Sequence, residues 1–180
     1  MAVIRAHRGH EPSFGVGVFV ADTATLIGAI EIGDAASLWY GAVLRADVGR
    51  IVIGARTNVQ DNACIHMTFG VSDALIGSDV IIGHNAVVHG AIIEDGALLG
   101  MHAVILDNAR LGAGSWVAAG SVVPPNMVIP PGVLVRGSPA QVVRDVRDEE
   151  RSFARAAVQR YLELAREHQQ EQLQAGVRLP

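Results

Sequence analysis

The sequence predicts an all-β solenoid of stacked parallel coils, followed by an α-helix that packs alongside it. Three features support this fold class. An aliphatic residue recurs at every sixth position over most of the chain, glycine is abundant, and a charged, alanine-rich segment lies near the C-terminus. The chain has 180 residues, a natural size for one domain. Only 4% of them are aromatic, so the core must come from Val, Ile, Leu and Ala.

The six-residue repeat is unbroken from position 93 onward. Its aliphatic positions are Ile93, Leu99, Ile105, Leu111, Val117, Val123, Ile129 and Val135. Six residues do not match the α-helical period of 3.6, but they accommodate one short strand and one corner. Three such strands close a triangular coil of about 18 residues, and coils stack about 4.8 Å apart as parallel strands. Each coil then buries the inner face of its neighbour.

The same phase continues upstream with three interruptions. The upstream aliphatic positions are Phe14, Val20, Leu26, Ile32, Leu38 and Leu44, then Ile53, Val59 and Ile65, then Ile76, Ile82 and Val88. The next spacing is 9 residues after Leu44, 11 after Ile65 and 5 after Val88. All three irregularities follow the third strand of a coil, so the irregular loops gather at one corner of the prism. Loops that leave a regular scaffold at one place often build a functional site.

The C-terminal segment has a different period. From about Asp145 to Ala175 it contains neither glycine nor proline, and larger or apolar side chains recur every three or four residues, which predicts an amphipathic helix. The predicted inner face contains Phe153, Ala157, Tyr161, Leu164 and His168. We expect a metal-binding β-helix over residues 1–140 and a helix with its tail over residues 141–180, in the same structural unit.

Composition narrows the classes of partner. The formal charge of −4 gives no reason to expect nucleic acid. No apolar run reaches the ~18 residues of a membrane span, and the N-terminal segment lacks the apolar stretch of a secretory signal. A cytoplasmic protein with no membrane partner is therefore expected. Cys64 is the single cysteine, which excludes an intrachain disulfide.

Two histidines and an arginine occupy equivalent positions at the irregular corner. Arg45, His66 and His89 each follow the aliphatic residue of a third strand, so they are expected to stack in one column. Two imidazoles one strand spacing apart need only slight convergence to bind one zinc ion. The alternative is a pair of histidines that pack or hydrogen-bond locally, and the spacing alone leaves both open.

His84 belongs to a different corner. It lies two residues after Ile82, in a second strand, so one chain should not bring it to His66 and His89. Three prisms around a threefold axis would place the second corner of one chain against the third corner of the next. The spacing therefore predicts a three-histidine site between subunits, repeated at each interface of a closed homotrimer.

Five stretches of the chain resemble the γ-class carbonic anhydrases and their close relatives. They are LWYGAVLRADVGRIVIG, NVQDNACIH, IGHNAVVHG, IEDGALLGMHAVILD and VRGSPA. Together they span about residues 38–140. The hexapeptide repeat alone is less specific, because many acyltransferases share it. The resemblance implies a left-handed parallel β-helix, an exception to the general right-handed rule for crossovers.

The resemblance also implies a metal site and an activity. In that family the positions matching His66 and His89 bind zinc, iron or cobalt from one subunit, and the position matching His84 binds it from the next. This implies a Zn²⁺ cofactor, with Fe²⁺ or Co²⁺ as alternatives, and reversible hydration of carbon dioxide to bicarbonate by a metal-bound hydroxide. Arg45 and Asp47 match an ion pair at the subunit interface, near the bicarbonate position.

Three further positions match residues around the metal. Gln60 and Asp61 match residues that orient metal-bound water, and Tyr161 matches a tyrosine that approaches the metal cavity in relatives. Structural roles remain open beside these. Arg45 and Asp47 can equally form a purely structural interface pair, and Tyr161 can belong to ordinary helix packing.

The chain departs from the best-known active members near the expected proton path. Those members carry glutamates near the site, one of them on an extended acidic loop after the first histidine. Here that loop reads MTFGVSDA, with only Asp73, and Val48 follows Asp47. Hydration is therefore expected to be weak. Two other classes stay open: a thioesterase or acyltransferase that acts on a coenzyme A ester, and a non-catalytic metal-binding homologue.

Overall fold

The computed structural model describes residues 1–176 as a parallel β-solenoid with one helix at its C-terminal end. The second strands of the coils form one face, here the second face. It stacks seven parallel strands: β3 (Phe19–Val20), β5 (Ser37–Leu38), β7 (Asn58–Val59), β10 (Ile81–Ile82), β13 (Leu98–Leu99), β16 (Trp116–Val117) and β19 (Val133–Gly137). The chain then turns back through β20 (Ala140–Asp145), which pairs antiparallel with β19 and closes this end of the sheet.

The other two faces form one continuous sheet of 12 strands, because two long strands run through the corner between them. These are β4 (Thr25–Ile32) and β6 (Val43–Ile53). The first face adds β2 (Ser13–Phe14), β9 (Ala74–Ile76), β12 (Ile92–Ile93), β15 (Arg110–Leu111) and β18 (Val128–Ile129). The third face adds β1 (Val3–Arg5), β8 (Cys64–His66), β11 (Val87–His89), β14 (Val104–Ile105) and β17 (Val122–Val123).

The predicted six-residue repeat is confirmed as the core of the solenoid. Ile82 is fully buried between Val59 and Leu99, its partners in the coils on either side. The small residue four places after an aliphatic one is also buried, as at Ala97 and Ala103. Burial of each Val, Leu or Ile side chain stabilises the fold by about 1.5–3 kcal/mol relative to exposure.

The corners need unusual backbone angles and small side chains. At the second corner Asn62, Asn85 and His102 have φ values of 58°, 58° and 59°, in the left-handed region that asparagine tolerates well. His102 occupies the position of this turn that Asn62 and Asn85 fill in the two preceding coils. At another corner a Cβ on Gly54 would overlap the backbone of Gly77, so the close stacking of these coils requires glycine.

The C-terminal helix α1 (Asp148–Gln174) packs alongside the solenoid, as the sequence predicted, and it lies on the second face. The Tyr161 ring packs against Trp39 with ring centroids 5.3 Å apart. Near the helix end, Gln172 Nε2 donates to the carbonyl oxygen of Val20 at 3.3 Å. The prediction for Phe153 was wrong: it is 64% exposed, because the buried stripe passes through residues one position later in the chain, such as Val158.

Within residues 1–176, none of the helical structure has the length and apolar character needed to cross a bilayer.

Candidate metal centre

His66 and His89 stack at the C-terminal ends of neighbouring third-face strands. The two residues are direct partners in the parallel pairing of β8 with β11. Their ring centroids lie 5.3 Å apart, and His66 Nδ1 faces His89 Nε2 at 3.3 Å. The predicted stacking of these two histidines is therefore present in the structure. Leu44 pairs with Ile65, so Arg45 lies one coil below in the same column.

A carboxylate holds the outer nitrogen of each of these two rings. Asp47 Oδ1 lies 3.0 Å from His66 Nε2, and Asp107 Oδ2 lies 3.2 Å from His89 Nδ1. An ionised carboxylate only accepts hydrogen bonds, so the nitrogen that faces it must carry the proton. In neutral rings the two nitrogens that face each other therefore both present lone pairs. Lone pairs at this separation repel unless a cation, either a proton or a metal ion, lies between them.

The separation of the two facing nitrogens fits a shared metal ion. Nitrogens bound at about 2.0–2.1 Å to a tetrahedral zinc ion lie about 3.3 Å apart, and the observed distance between His66 Nδ1 and His89 Nε2 is 3.3 Å. Metal-binding histidines usually donate their other ring N–H to a carboxylate, which fixes the tautomer and the ring orientation. His66 and His89 meet both conditions.

Asp107 is a functional candidate that the sequence analysis did not single out. Its carboxylate accepts hydrogen bonds from Thr68 Oγ1 at 2.9 Å and from Ser72 Oγ, in addition to His89. Burial alone would raise the pKa of Asp107, but these hydrogen bonds outweigh it and hold this pKa below its usual value. The signal was its place beside the histidine column, since it lies two residues after Ile105, the partner of Val88, and His89 lies one residue after Val88.

Asp47 is tied to two partners. Arg45 Nη1 contacts its Oδ2 atom, and His66 contacts its Oδ1 atom. Burial opposes ionisation of Asp47, but the hydrogen bonds from Arg45 and His66 outweigh this effect and lower its pKa. The Arg45 side chain is 45% exposed at the corner, where it can contact a small anion or a neighbouring chain.

His84 and Asp61 form a matching pair at the second corner. His84 Nδ1 lies 2.8 Å from Asp61 Oδ2, so the third histidine also has a carboxylate behind one ring nitrogen. The structure does not bring His84 to His66 and His89 within one chain. Among residues 1–176 of a single chain, no three His, Cys, Asp or Glu side chains converge as a metal-binding group.

Gln60 and Tyr161 lie on the side of the second corner. Gln60 is buried, and its Nε2 donates to Asn58 Oδ1 at 3.1 Å on the outer side of the second face. Tyr161 packs on the second face, where burial raises the pKa of its hydroxyl and the negative charge of Asp61 raises it further. Both residues thus lie on the side of the coil that carries Asp61 and His84.

Comparison with known proteins agrees with the six-residue repeat and with the resemblance seen in the sequence. The bacterial transferase hexapeptide (six repeats) family matches residues 73–107. The mitochondrial γ carbonic anhydrase 2 of Arabidopsis thaliana is 52% identical over 50 residues, which are 28% of this chain and 18% of that protein. A carbonic anhydrase of Geobacillus kaustophilus is 38% identical over 66 residues, which are 37% of this chain and 36% of that protein. The matches thus span well under half the length of these curated relatives.

A similarity over nearly the whole chain comes from a solved structure. The product of the BC4754 gene of Bacillus cereus, provisionally described as an acetyltransferase, is 33% identical. The alignment covers 95% of this chain and 99% of that one, with a TM-score of 0.93. The fold therefore extends over the full length of that relative, while the two descriptions, carbonic anhydrase and acetyltransferase, name different chemistries.

Proposed function

Because the chain belongs to the γ-carbonic anhydrase-like family of hexapeptide-repeat proteins, we propose that it catalyses the reversible hydration of carbon dioxide to bicarbonate. The proposed site lies between the subunits of a homotrimer. Its metal ion is Zn²⁺, with Fe²⁺ or Co²⁺ as alternatives that imidazole ligands also accept.

One observation supports this proposal most directly. His66 Nδ1 and His89 Nε2 face each other at 3.3 Å, and a carboxylate lies behind each ring. If the pair were only structural, a carboxylate behind one ring would be enough. The other ring could then donate its N–H to the first ring. Two carboxylates that each require a protonated nitrogen leave two free lone pairs, which are what a metal ion needs.

The third ligand of the proposed site comes from a neighbouring chain. His84 has the same arrangement, with Asp61 holding Nδ1, so Nε2 is the nitrogen available to a partner. His66 and His89 offer two ligands at the third corner. A closed ring of three chains can bring one second corner to each third corner, and every site is then completed by two subunits.

The side chains around the proposed site have distinct tasks. His66, His89 and a neighbouring chain's counterpart of His84 would hold the zinc ion, which when bound would supply a hydroxide nucleophile at neutral pH, because such an ion lowers the pKa of water to about 7. Asp47, Asp107 and Asp61 fix the tautomers of the three histidines. Arg45 offsets the negative charge that develops as carbon dioxide becomes bicarbonate.

Gln60 and Asp61 are proposed to orient the reacting water from the His84 side, and Tyr161 lies on the same side. In one chain Gln60 is bonded to Asn58. Its role in the trimer therefore depends on a contact with the adjoining subunit.

The test combines metal analysis with stopped-flow measurement of carbon dioxide hydration. We expect about one metal ion per chain in the wild type, since each chain contributes one complete set of ligands to the ring. His89→Ala should lose the metal and the activity together. His168→Gln is a matched control on α1, where the imidazole contacts Tyr40 at 2.9 Å, and it should keep both. Equal metal content in wild type and His89→Ala would refute the ligand assignment.

A second candidate function is transfer or hydrolysis of an acyl group carried by coenzyme A. The full-length similarity to the Bacillus cereus protein described provisionally as an acetyltransferase favours it. Dependence of the activity on the metal distinguishes the two functions. Release of coenzyme A from acetyl-coenzyme A by metal-free protein, without any hydration activity after metal loading, would support the acyltransferase and exclude the anhydrase.

A further inference from the structure

A cleft of about 360 Å³ opens at Asp47, in β6. It lies between the turn at residues 7–10, the bend at 46–50 and the loop at 67–73. Its polar lining includes His7, His10, Asp47, Arg50 and Asp73. Asp47 contacts His66 Nε2, so the cleft borders the candidate metal centre at this carboxylate.

The turn at residues 7–10 presents two imidazoles to this cleft. His7 N donates to His10 O at 2.9 Å, and His10 N donates to His7 O at 3.0 Å. The central residues Arg8 and Gly9 have φ values of 48° and 81°, the pattern of a tight type I′ turn. Residues directly opposite each other in such a hairpin project their side chains on the same face. The two imidazoles therefore share one side of the turn, and both line the cleft.

The two carboxylates that line the cleft already accept hydrogen bonds from other residues. Asp73 accepts from the backbone N of Arg50 at 2.9 Å and from Arg50 Nε at 3.1 Å. Asp47 is bonded to Arg45 and His66. Both carboxylates of the cleft are therefore engaged by other side chains, whereas imidazole is the side chain best suited to exchange protons near neutral pH.

We propose that His7 and His10 accept the proton released by hydration and pass it to buffer. This proposal rests on the proposed function. Carbon dioxide and water give bicarbonate and one proton. The water loses an O–H bond, a ring nitrogen of His7 or His10 gains an N–H bond, and the resulting imidazolium returns the proton to solvent at the mouth of the cleft. Arg8, Arg50, Asp47 and Asp73 are the charged groups that face these rings.

This role places the acceptor on a different segment from the one expected by resemblance. The loop at 67–73 carries only Asp73, which is bound to Arg50. The turn at residues 7–10 reaches the same cleft from an earlier coil. The chain therefore does not need a glutamate on the later loop to move protons out of the site.

The kinetic test uses the metal-loaded trimer and the double variant His7→Gln, His10→Gln. General acid–base groups contribute factors of about 10²–10⁴, so we expect kcat at low buffer concentration to fall by about tenfold or more. The value of kcat/KM should stay unchanged, and added imidazole should restore kcat. His168→Gln also removes an imidazole, but on α1 and outside this cleft. This control should retain the wild-type kcat.

A second measurement does not depend on turnover. In Co²⁺-loaded protein, the ring proton resonances of His7 and His10 should show paramagnetic shifts relative to the Zn²⁺ form. Unshifted resonances would overturn the proposal, as would an unchanged kcat in the double variant. If wild type hydrates carbon dioxide and only the variant test fails, the proposed function stands without this role. If metal-loaded wild type shows no hydration, both proposals fall.

Discussion

Replacing Asp107 by asparagine should weaken metal binding without unfolding the protein. Asp107 Oδ2 accepts from both His89 Nδ1 and Thr68 Oγ1, while Oδ1 accepts from Ser72. An asparagine has one acceptor oxygen. If that oxygen keeps the Ser72 bond, an NH₂ group faces the His89 N–H, and the ring is driven to the wrong tautomer or turned away. Loss of such a supporting carboxylate lowers metal affinity by about 10–100-fold, or about 1.4–2.7 kcal/mol.

The assay is competition for Zn²⁺ against a chromophoric chelator at pH 7.5, with folding followed by circular dichroism. Asp79→Asn is the matched control, because Asp79 also binds a side chain of the solenoid surface, the Arg56 guanidinium, through two hydrogen bonds. It lies outside the candidate centre and should leave the affinity unchanged. An Asp107→Asn protein that is folded and binds Zn²⁺ as tightly as wild type would refute the assignment of Asp107 as the support of His89.

Three further outcomes are expected. Ile82→Ala removes a fully buried side chain between Val59 and Leu99 and should lower the free energy of unfolding in urea by about 2–5 kcal/mol. Hydrogen bonds from Arg144 and from the helix start lower the pKa of Glu150 to about 2. Its stabilising effect should therefore be complete above its ordinary pKa of 4.5 and vanish as the pH falls towards 2, so Glu150→Gln should flatten an acid titration followed by circular dichroism. Chelation should shift the trimer towards monomer in sedimentation velocity, because a metal held by two subunits stabilises their association; a trimer indifferent to chelator would contradict ligation between subunits.

The solenoid could be predicted from the sequence because its determinants are local and periodic. An aliphatic side chain at every sixth position specifies both the strand and the direction in which it points. That rule alone placed His66 next to its partner His89 and assigned His84 to another corner. The helix was also predictable from its three- and four-residue spacing. The error at Phe153 arose because an apolar residue near the start of a helix was assigned to the buried stripe on spacing alone.

The supports of the candidate site were less predictable, because they lie where the chain leaves the repeat. Asp107 follows its strand by two residues, and its contact with His89 depends on the path of the corner. Its partners Thr68 and Ser72 belong to an inserted loop with no period of its own. The pairing of His7 with His10 depends on a turn with two left-handed residues, one of them Arg8, which has no strong sequence preference for that conformation.

The stacked coils explain how such distant segments come to share one site. Every coil passes the same corner once, so segments near residues 10, 50 and 70 become neighbours although the chain separates them widely. The strands on either side of each loop are fixed by pairing with the coils above and below, so a loop can change in length or composition without moving the histidines. A proton-accepting group can therefore enter from any coil whose loop reaches this corner. In this chain the loop at 67–73 is short and carries no glutamate, and His7 and His10 of the first turn line the same cleft.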